Sequence, residues 1–138
     1  MEIYLKKLRK HGLKVTPRRK AVISLFLDSQ SCLGPYEVYR ILKHKIKPLG
    51  LPTTYRILDE LCKIGILVPI QSGDRQLYYS LCSVPESHHH HFICRKCKQI
   101  KEVEYCNFAE VSRFIEKKLN CEVESHLIQM EGLCARCK

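Results

Sequence analysis

The chain has 138 residues, of which 45% are hydrophobic, and a formal net charge of +10. This length suits one ordinary domain or two small ones, and the apolar content can support a packed core. No apolar run approaches the roughly 20 residues that span a bilayer, and the charged N-terminus lacks the apolar segment of a secretory signal. We therefore expect a cytoplasmic protein without membrane association.

The charge is unevenly distributed. Residues 1–82 carry 15 Lys and Arg against 6 Asp and Glu, whereas residues 83–138 carry 9 against 8. The second part is also rich in histidine and in cysteine pairs, and clustered cysteines in a reducing compartment are more often metal ligands or reactive thiols than disulfides. The pattern predicts a polyanion-binding domain over 1–82, a hinge over 83–87 and a metal-binding domain over 88–138.

Three helices and a β-hairpin are predicted in the basic part. Thr16-Pro17 and Gly34-Pro35 are helix starts, because proline is tolerated in the first turn and threonine can accept from its free N–H groups. Thr53 is predicted to cap a third helix, TTYRILDELCKIG, which Gly65 ends in the left-handed conformation. Two apolar stretches, ILVPI and QLYYSL, then flank Ser72-Gly73-Asp74, which is a hairpin signal.

This order of elements predicts a winged helix-turn-helix whose third helix enters the major groove of DNA. The residues at the start of that helix offer hydroxyls, a guanidinium and an aromatic ring to phosphates and base edges. They are Thr53, Thr54, Tyr55 and Arg56. The alternative is a small helical domain with merely solvated charges, in which Tyr55 would belong to the core.

Two Cys-x-x-Cys pairs predict a zinc site in the second part. Cys94 and Cys97 form one pair and Cys134 and Cys137 the other. Two such pairs complete the tetrahedral four-sulfur shell of structural zinc, a closed site that holds a fold together.

Four consecutive histidines precede the first pair. If residues 88–94 form a strand, His88 and His90 point to one face and His89 and His91 to the other, which makes two half-sites back to back. Further ligands are needed on each face. The candidates are His126, Glu102, Glu104 and Glu110 in the second part, and Cys82 and Cys32 in the first.

The sequence resembles the ferric uptake regulator family of metal-dependent bacterial repressors. The resemblance lies in GLKVTPRR (12–19), TTYRILDEL (53–61), HHHHFICRKC (88–97) and HLIQMEGLCARC (126–137). It implies an α+β fold: an N-terminal winged helix followed by a small α/β dimerisation domain with structural zinc. It also implies a homodimer that binds palindromic operator DNA when loaded with metal and represses uptake genes.

The resemblance assigns roles to individual residues. Tyr55 and Arg56 match recognition-helix contacts, and Lys14 and Arg19 match contacts from the first helix. His88, His90 and His126 match a metal site that normally includes a glutamate. Ungapped spacing puts Ala109 at the glutamate position, so Glu110 serves only with a shift of one residue.

The hinge site implied by the resemblance is the regulatory one, with His89, His91, Cys82 and Cys32 as its ligands. Such a sulfur-rich set suits zinc, as in the zinc uptake regulators, although Val68 stands where those members often carry an acidic residue. Iron(II) sensing is the alternative if Cys82 and Cys32 are only buried thiols. Peroxide sensing ranks lower, because it uses histidine and carboxylate ligands and His90 stands where an aspartate is expected.

Two other classes of protein fit less well. An enzyme would need an open metal position with a general acid or base, and no His-x-Glu or His-Glu-x-x-His motif is present. A zinc-storage or chaperone protein would not need the winged helix and the basic charge. No catalytic residue and no small-molecule substrate are therefore expected.

Overall fold

The computed structural model describes residues 1–29, 31–71, 75–85 and 87–138, which divide into two compact units, Met1–Glu86 and Ser87–Lys138. Both units contain helices and strands, so the α+β class expected from the sequence is confirmed. None of the helices within the described ranges is long and apolar enough to cross a membrane.

The first unit is a winged helix. Its described residues form four helices and a two-stranded antiparallel sheet: α1 (Glu2–Lys10), α2 (Pro17–Asp28), α3 (Pro35–Leu42), α4 (Leu51–Lys63), β1 (Leu67–Gln71) and β2 (Leu77–Leu81). The predicted hairpin strands are confirmed, whereas the predicted turn Ser72-Gly73-Asp74 lies outside the described residues, as does Glu86 of the predicted hinge.

Both proline-containing helix starts are confirmed. Pro17 follows the N-cap Thr16, whose hydroxyl accepts from the backbone N–H of Arg19 at 3.3 Å. Pro35 follows Gly34, whose N–H donates to the Glu37 carboxylate at 2.7 Å. In both cases a side-chain oxygen satisfies an N–H group near the start of the helix.

The start of α4 differs from the prediction. The helix begins at Leu51 with Gly50 as its N-cap, so Thr53 lies inside the first turn instead of capping it. Pro52 is compatible with this earlier start, because a proline in the first turn removes only an N–H group that has no intrahelical partner. Gly65 ends the helix with φ +69°, as predicted.

The helix α1 was missed in the sequence. Tyr4, Leu5 and Leu8 are buried at helical spacing, and Leu8 is completely inaccessible. The Tyr4 hydroxyl donates to the carbonyl of Cys82 at 2.9 Å, and the Lys7 ammonium donates to the carbonyl of Pro85. This helix therefore holds the segment that leaves β2.

The second unit is a three-stranded sheet with one helix. Its elements are β3 (His90–Cys94), β4 (Ile100–Val103), α5 (Phe108–Leu119) and β5 (Gln129–Gly132). β3 is central, antiparallel to β4 and parallel to β5. None of the residues of α5 is buried, so this helix keeps an uncovered apolar face.

Candidate metal centres and nucleic-acid interface

The four cysteines of the two pairs meet in one cluster. The parallel register places Cys94 opposite Gly132, and this pairing brings the turn after β3 beside the turn after β5. The four sulfur atoms lie within 4.8 Å of one another, with 3.8 Å between those of Cys97 and Cys134. The sequence predicted these four residues as a structural zinc site, and their arrangement fits a tetrahedral zinc shell.

The electrostatics of the cluster also suit a cation. Backbone N–H groups of Cys97 and Cys134 lower the pKa of the Cys94 thiol to about 6. A side-chain hydrogen bond to Cys134, and then burial, raise the pKa of the Cys137 thiol to about 12, because both favour the protonated form. A divalent cation compensates the charge of clustered thiolates, so the donor set fits zinc, which would be held by all four thiolates.

A second cluster lies on one face of the histidine run. It contains His88, His90, His126 and Cys106, whose ligand atoms lie within 4.8 Å of one another. The family resemblance implied the first three as ligands of one metal site, with Glu110 as the fourth after a shift of one residue. Glu110 lies instead on the exposed first turn of α5, outside the cluster, and Cys106, two residues before the helix, is the fourth member.

The remaining histidines form a pair on the opposite face. The Nε2 atoms of His89 and His91 are 3.0 Å apart, and Nδ1 of His89 lies 2.8 Å from the carbonyl oxygen of Ser87. A hydrogen bond from Nδ1 to that carbonyl leaves Nε2 available to a metal. Burial, and then the neighbouring His89, lower the pKa of His91, which favours the neutral imidazole that binds metals.

The other predicted regulatory ligands belong to the first unit. Cys82 directly follows β2 and is buried, and Cys32 is partly buried beside Leu33, which pairs with Tyr79. A third thiol of this unit, Cys62 on α4, has its pKa raised to about 12 by burial and by Asp59. Cys62 therefore stays a protonated thiol at neutral pH.

The recognition helix α4 exposes the predicted DNA-contacting side. Tyr55 is 49% exposed and Arg56 is exposed, so Tyr55 does not belong to the core. Thr53 and Arg56 line a groove of about 330 Å³ together with Arg18 and Lys47. Lys14 is exposed before α2.

Two residues predicted to contact DNA have other partners. Thr54 is completely buried, and its hydroxyl donates to the Gly50 carbonyl at 3.0 Å, because its position falls on the core side of α4. Arg19 donates to the Glu60 carboxylate at 2.8 and 3.1 Å and to the Lys14 carbonyl at 2.6 Å. Arg19 therefore joins α2 to α4, and its guanidinium is engaged within the protein.

Sequence reasoning missed one member of the second cluster. Cys106 was not among the candidate ligands, since no second cysteine stands near it in the sequence. Its position beside His126 results from the path of the chain between β4 and β5. The available signal was the KEVEYC stretch, which ends at Cys106.

A winged helix joined to a unit with clustered cysteines and histidines defines the class of metal-responsive transcription regulators. The profile of the ferric uptake regulator family matches residues 10–131, and the chain belongs to this family. Its members are transcriptional regulators and not enzymes.

Individual relatives carry three different functional names. The chain is 31% identical to the ferric uptake regulation protein of Bacillus subtilis over 96% of this chain and 90% of that protein. It is 28% identical to the peroxide-responsive repressor PerR of Staphylococcus epidermidis over 100% of this chain and 90% of the relative. A zinc uptake regulator complexed with zinc and DNA shares the fold, with a TM-score of 0.78 at 23% identity over 95% of this chain and 87% of the other.

Proposed function

We propose that this protein is a zinc-responsive repressor that binds palindromic operator DNA as a homodimer and controls metal-uptake genes. The observation that carries the choice of zinc is the chemistry of the two clusters in the second unit. One cluster consists of four thiols and the other of three imidazoles and one thiol, and neither contains a carboxylate. Sulfur and imidazole ligands suit zinc, whereas a site selective for iron(II) is expected to include carboxylate ligands.

DNA recognition is assigned to the exposed side of α4. Tyr55 offers a ring to a thymine methyl group, and Arg56 offers a guanidinium to a phosphate or a base edge. Lys14, Arg18 and Lys47 add positive charge that attracts the phosphate backbone. Arg18 and Lys47 line the same groove, and the backbone carbonyl of Lys14 accepts a hydrogen bond from Arg19, which also lines it. Thr53 lines this groove and can donate its hydroxyl to a phosphate.

The homodimer is assigned to α5. Val111, Phe114 and Leu119 are 43%, 65% and 66% exposed, and α5 buries no residue against its own unit. An uncovered apolar helix face needs a partner, and a second copy of the chain supplies an identical face about a two-fold axis. Such symmetry matches a palindromic operator, whose half-sites on one face of the duplex lie about 34–36 Å apart.

Regulation is assigned to His89, His91 and Cys82, with Cys32 as the fourth ligand. Bound zinc would supply a fixed tetrahedral connection between ligands from the two units. These residues would then set the orientation of each winged helix relative to the dimer, and so the spacing of the two recognition helices. A 100-fold gain in DNA affinity requires a coupling free energy of only about 2.7 kcal/mol.

Iron(II) sensing is the second candidate, favoured by the 31% identity to the ferric uptake regulation protein of Bacillus subtilis. Under this alternative Cys82 and Cys32 are buried thiols without a metal role. Glu102, which stands opposite His91 in the β3–β4 register, would then provide the oxygen ligand.

The deciding experiment is a fluorescence-anisotropy titration of palindromic operator-like DNA. The protein retains the zinc of its four-cysteine site, and buffered free zinc or anaerobic iron(II) is added. We expect tight binding at far lower free zinc than iron(II), lost in Cys82→Ser and retained in Cys121→Ser, which changes an exposed thiol of the second unit.

Other results would point to other functions. Activation by iron(II), with Cys82→Ser unaffected and Glu102→Gln inactive, would establish the iron regulator. DNA affinity that responds to neither metal would contradict metal-dependent repression and favour a zinc-binding protein without a DNA switch.

A further inference from the structure

We propose that Cys106 is a metal ligand that completes, with His88, His90 and His126, an exchangeable zinc site of three imidazoles and one thiolate. The site lies wholly within the second unit and uses none of the four paired cysteines and neither His89 nor His91. The assignment does not depend on the proposed repressor function, because it concerns only which atoms hold the metal.

The distances between the four side chains fit one bound ion. Donor atoms at zinc bond lengths of about 2.0–2.3 Å in a tetrahedron lie roughly 3.3–3.8 Å apart. The Cys106 sulfur is 3.4 Å from Nε2 of His126, and all four ligand atoms lie within 4.8 Å of one another. Small side-chain rotations therefore suffice to close the shell.

A buried nitrogen in the cluster has no hydrogen-bond partner. His90 is only 4% exposed, and within the described part of the chain its Nε2 atom makes no hydrogen bond. Buried polar atoms are nearly always paired, so such an atom indicates a missing partner. The His90 ring lies 4.9 Å from that of His88 and 5.1 Å from that of His126, measured between centroids, so the unpaired nitrogen belongs to a ring packed among the other imidazoles of the cluster.

Neighbouring residues hold the ligands in place. The His126 ring stacks on Phe108, with centroids 3.8 Å apart and planes 16° from parallel. Phe108 is the first residue of α5, and Cys106 lies two residues before it. The site therefore draws its ligands from the start of β3 and the residues just before it, the segment before α5 and the segment before β5.

The sulfur ligand determines the class of metal. A carboxylate in this place would suit iron(II) or manganese(II), whereas a thiolate beside three imidazoles favours zinc, which also stands above iron(II) in the general order of affinities. The thiol must lose its proton to become a ligand, and that proton is released to solvent when the metal binds.

Cobalt(II) substitution tests the assignment. The experiment uses the Cys32→Ser/Cys82→Ser protein with zinc retained in its four-cysteine site, so that both proposed regulatory thiolates are removed. We expect cobalt(II) to produce the visible bands of a tetrahedral site and a near-ultraviolet sulfur-to-cobalt charge-transfer band of one-thiolate intensity. Adding Cys106→Ser should abolish the charge-transfer band, whereas adding Cys121→Ser, a matched exposed thiol, should leave it unchanged.

Zinc affinity, measured by competition with a chromophoric chelator, provides a second readout. Cys106→Ser should weaken zinc binding by more than the roughly 10- to 100-fold that loss of an outer-shell partner costs. Cys106→Asp should restore binding without the charge-transfer band and shift the preference toward iron(II). Circular dichroism and retention of the four-cysteine zinc verify that each variant is folded.

Three results would overturn the proposal. They are survival of the charge-transfer band when Cys106→Ser is added to the Cys32→Ser/Cys82→Ser protein, absence of the band in the Cys32→Ser/Cys82→Ser protein itself, and a zinc affinity of Cys106→Ser equal to that of Cys121→Ser. An unchanged metal preference in Cys106→Asp would overturn the assignment of selectivity to the thiolate.

Discussion

Arg19 and Arg56 have the same side chain but different surroundings. Arg56 is exposed on α4, whereas Arg19 is bound to Glu60 and to the Lys14 carbonyl. The sequence resemblance assigned both to DNA. Arg19 is held within the protein because the fold brings the Glu60 carboxylate, 41 residues away on α4, into contact with its guanidinium.

The ion pair between Arg19 and Glu60 should stabilise the first unit. Both side chains are less than one quarter exposed, so Glu60→Gln should lower the free energy of unfolding by about 1–3 kcal/mol. Asp59→Asn is the matched control on the same helix. Its partner is Lys63, and the two side chains are 60% and 72% exposed, so we expect a loss of at most about 0.5 kcal/mol. Urea denaturation measures both, and equal losses would contradict the structural role of the pair.

Arg56→Ala should weaken operator binding by about 1–3 kcal/mol if the guanidinium reads a base edge. The measurement is anisotropy at several salt concentrations on matched and altered operators. If the guanidinium contacts a phosphate instead, the substitution should reduce the slope of log binding constant against log salt concentration by about one. The preference among operator sequences should then stay unchanged. Arg9→Ala, on the exposed side of α1, is the control, and an equal effect of the two substitutions would contradict recognition by α4.

At the scale of elements, helix ends were the most readable feature of the sequence. Thr16-Pro17, Gly34-Pro35 and Gly65 predicted two helix starts and one helix end, because capping chemistry depends on neighbouring residues alone. The helix α1 was missed, since four basic residues in its second half conceal the spacing of Tyr4, Leu5 and Leu8. The burial of Thr54 follows from tertiary packing, which the local sequence does not contain.

The end of α4 depends on a backbone conformation that favours glycine. Gly65 has φ +69°, and the N–H groups of Gly65 and Ile66 donate to the carbonyls of Cys62 and Leu61, which is the Schellman arrangement. Gly65→Ala should cost about 1–2 kcal/mol of stability, whereas Gly65→Asn should cost less, since asparagine tolerates this region. Thermal unfolding followed by circular dichroism compares the two, and the reverse order would contradict this account.

The apolar face of α5 should determine the oligomeric state. Phe114→Asp places a charge at a position that is 65% exposed in one chain but buried in the proposed dimer, where an unpaired charge is strongly unfavourable. We expect monomers in sedimentation velocity at concentrations where the parent protein is dimeric. The control is Lys117→Glu, which also adds negative charge to this helix but lies away from the middle of the apolar face, so the Lys117→Glu protein should remain dimeric. Unchanged sedimentation of Phe114→Asp would exclude this face as the interface.

At the scale of the whole molecule, the two units are stabilised differently. The first has a large apolar core that includes Leu8, Ile23, Leu58 and Leu61. In the described part of the second unit, the buried hydrophobic residues are Ile93, Cys94 and Cys134, two of which belong to the cysteine cluster. A unit of this size without a sizeable core depends on other sources of stability, such as a bound metal.

Removal of metal from the four-cysteine site should therefore unfold the second unit while the first remains folded. Hydrogen exchange after treatment with a strong chelator should show loss of protection in β3 and β5 and retained protection in α2 and α4. Cys97→Ser should reproduce this pattern without chelator, and Cys121→Ser should not. Uniform loss of protection in both units would contradict independent stabilisation.

The histidine run also affects how strictly the central strand β3 must keep its register with β4 and β5. A slip of one residue in a typical strand sends every side chain to the opposite face. Here a slip that moved Ser87 into the place of His88 would still put imidazoles at the other three positions, because His88, His89 and His90 would take the places of their neighbours. One face would lose a single ligand and the other would lose none. The uniform composition of the run thus keeps the imidazole pair of one face complete, and leaves one imidazole on the other, after an alignment error during folding.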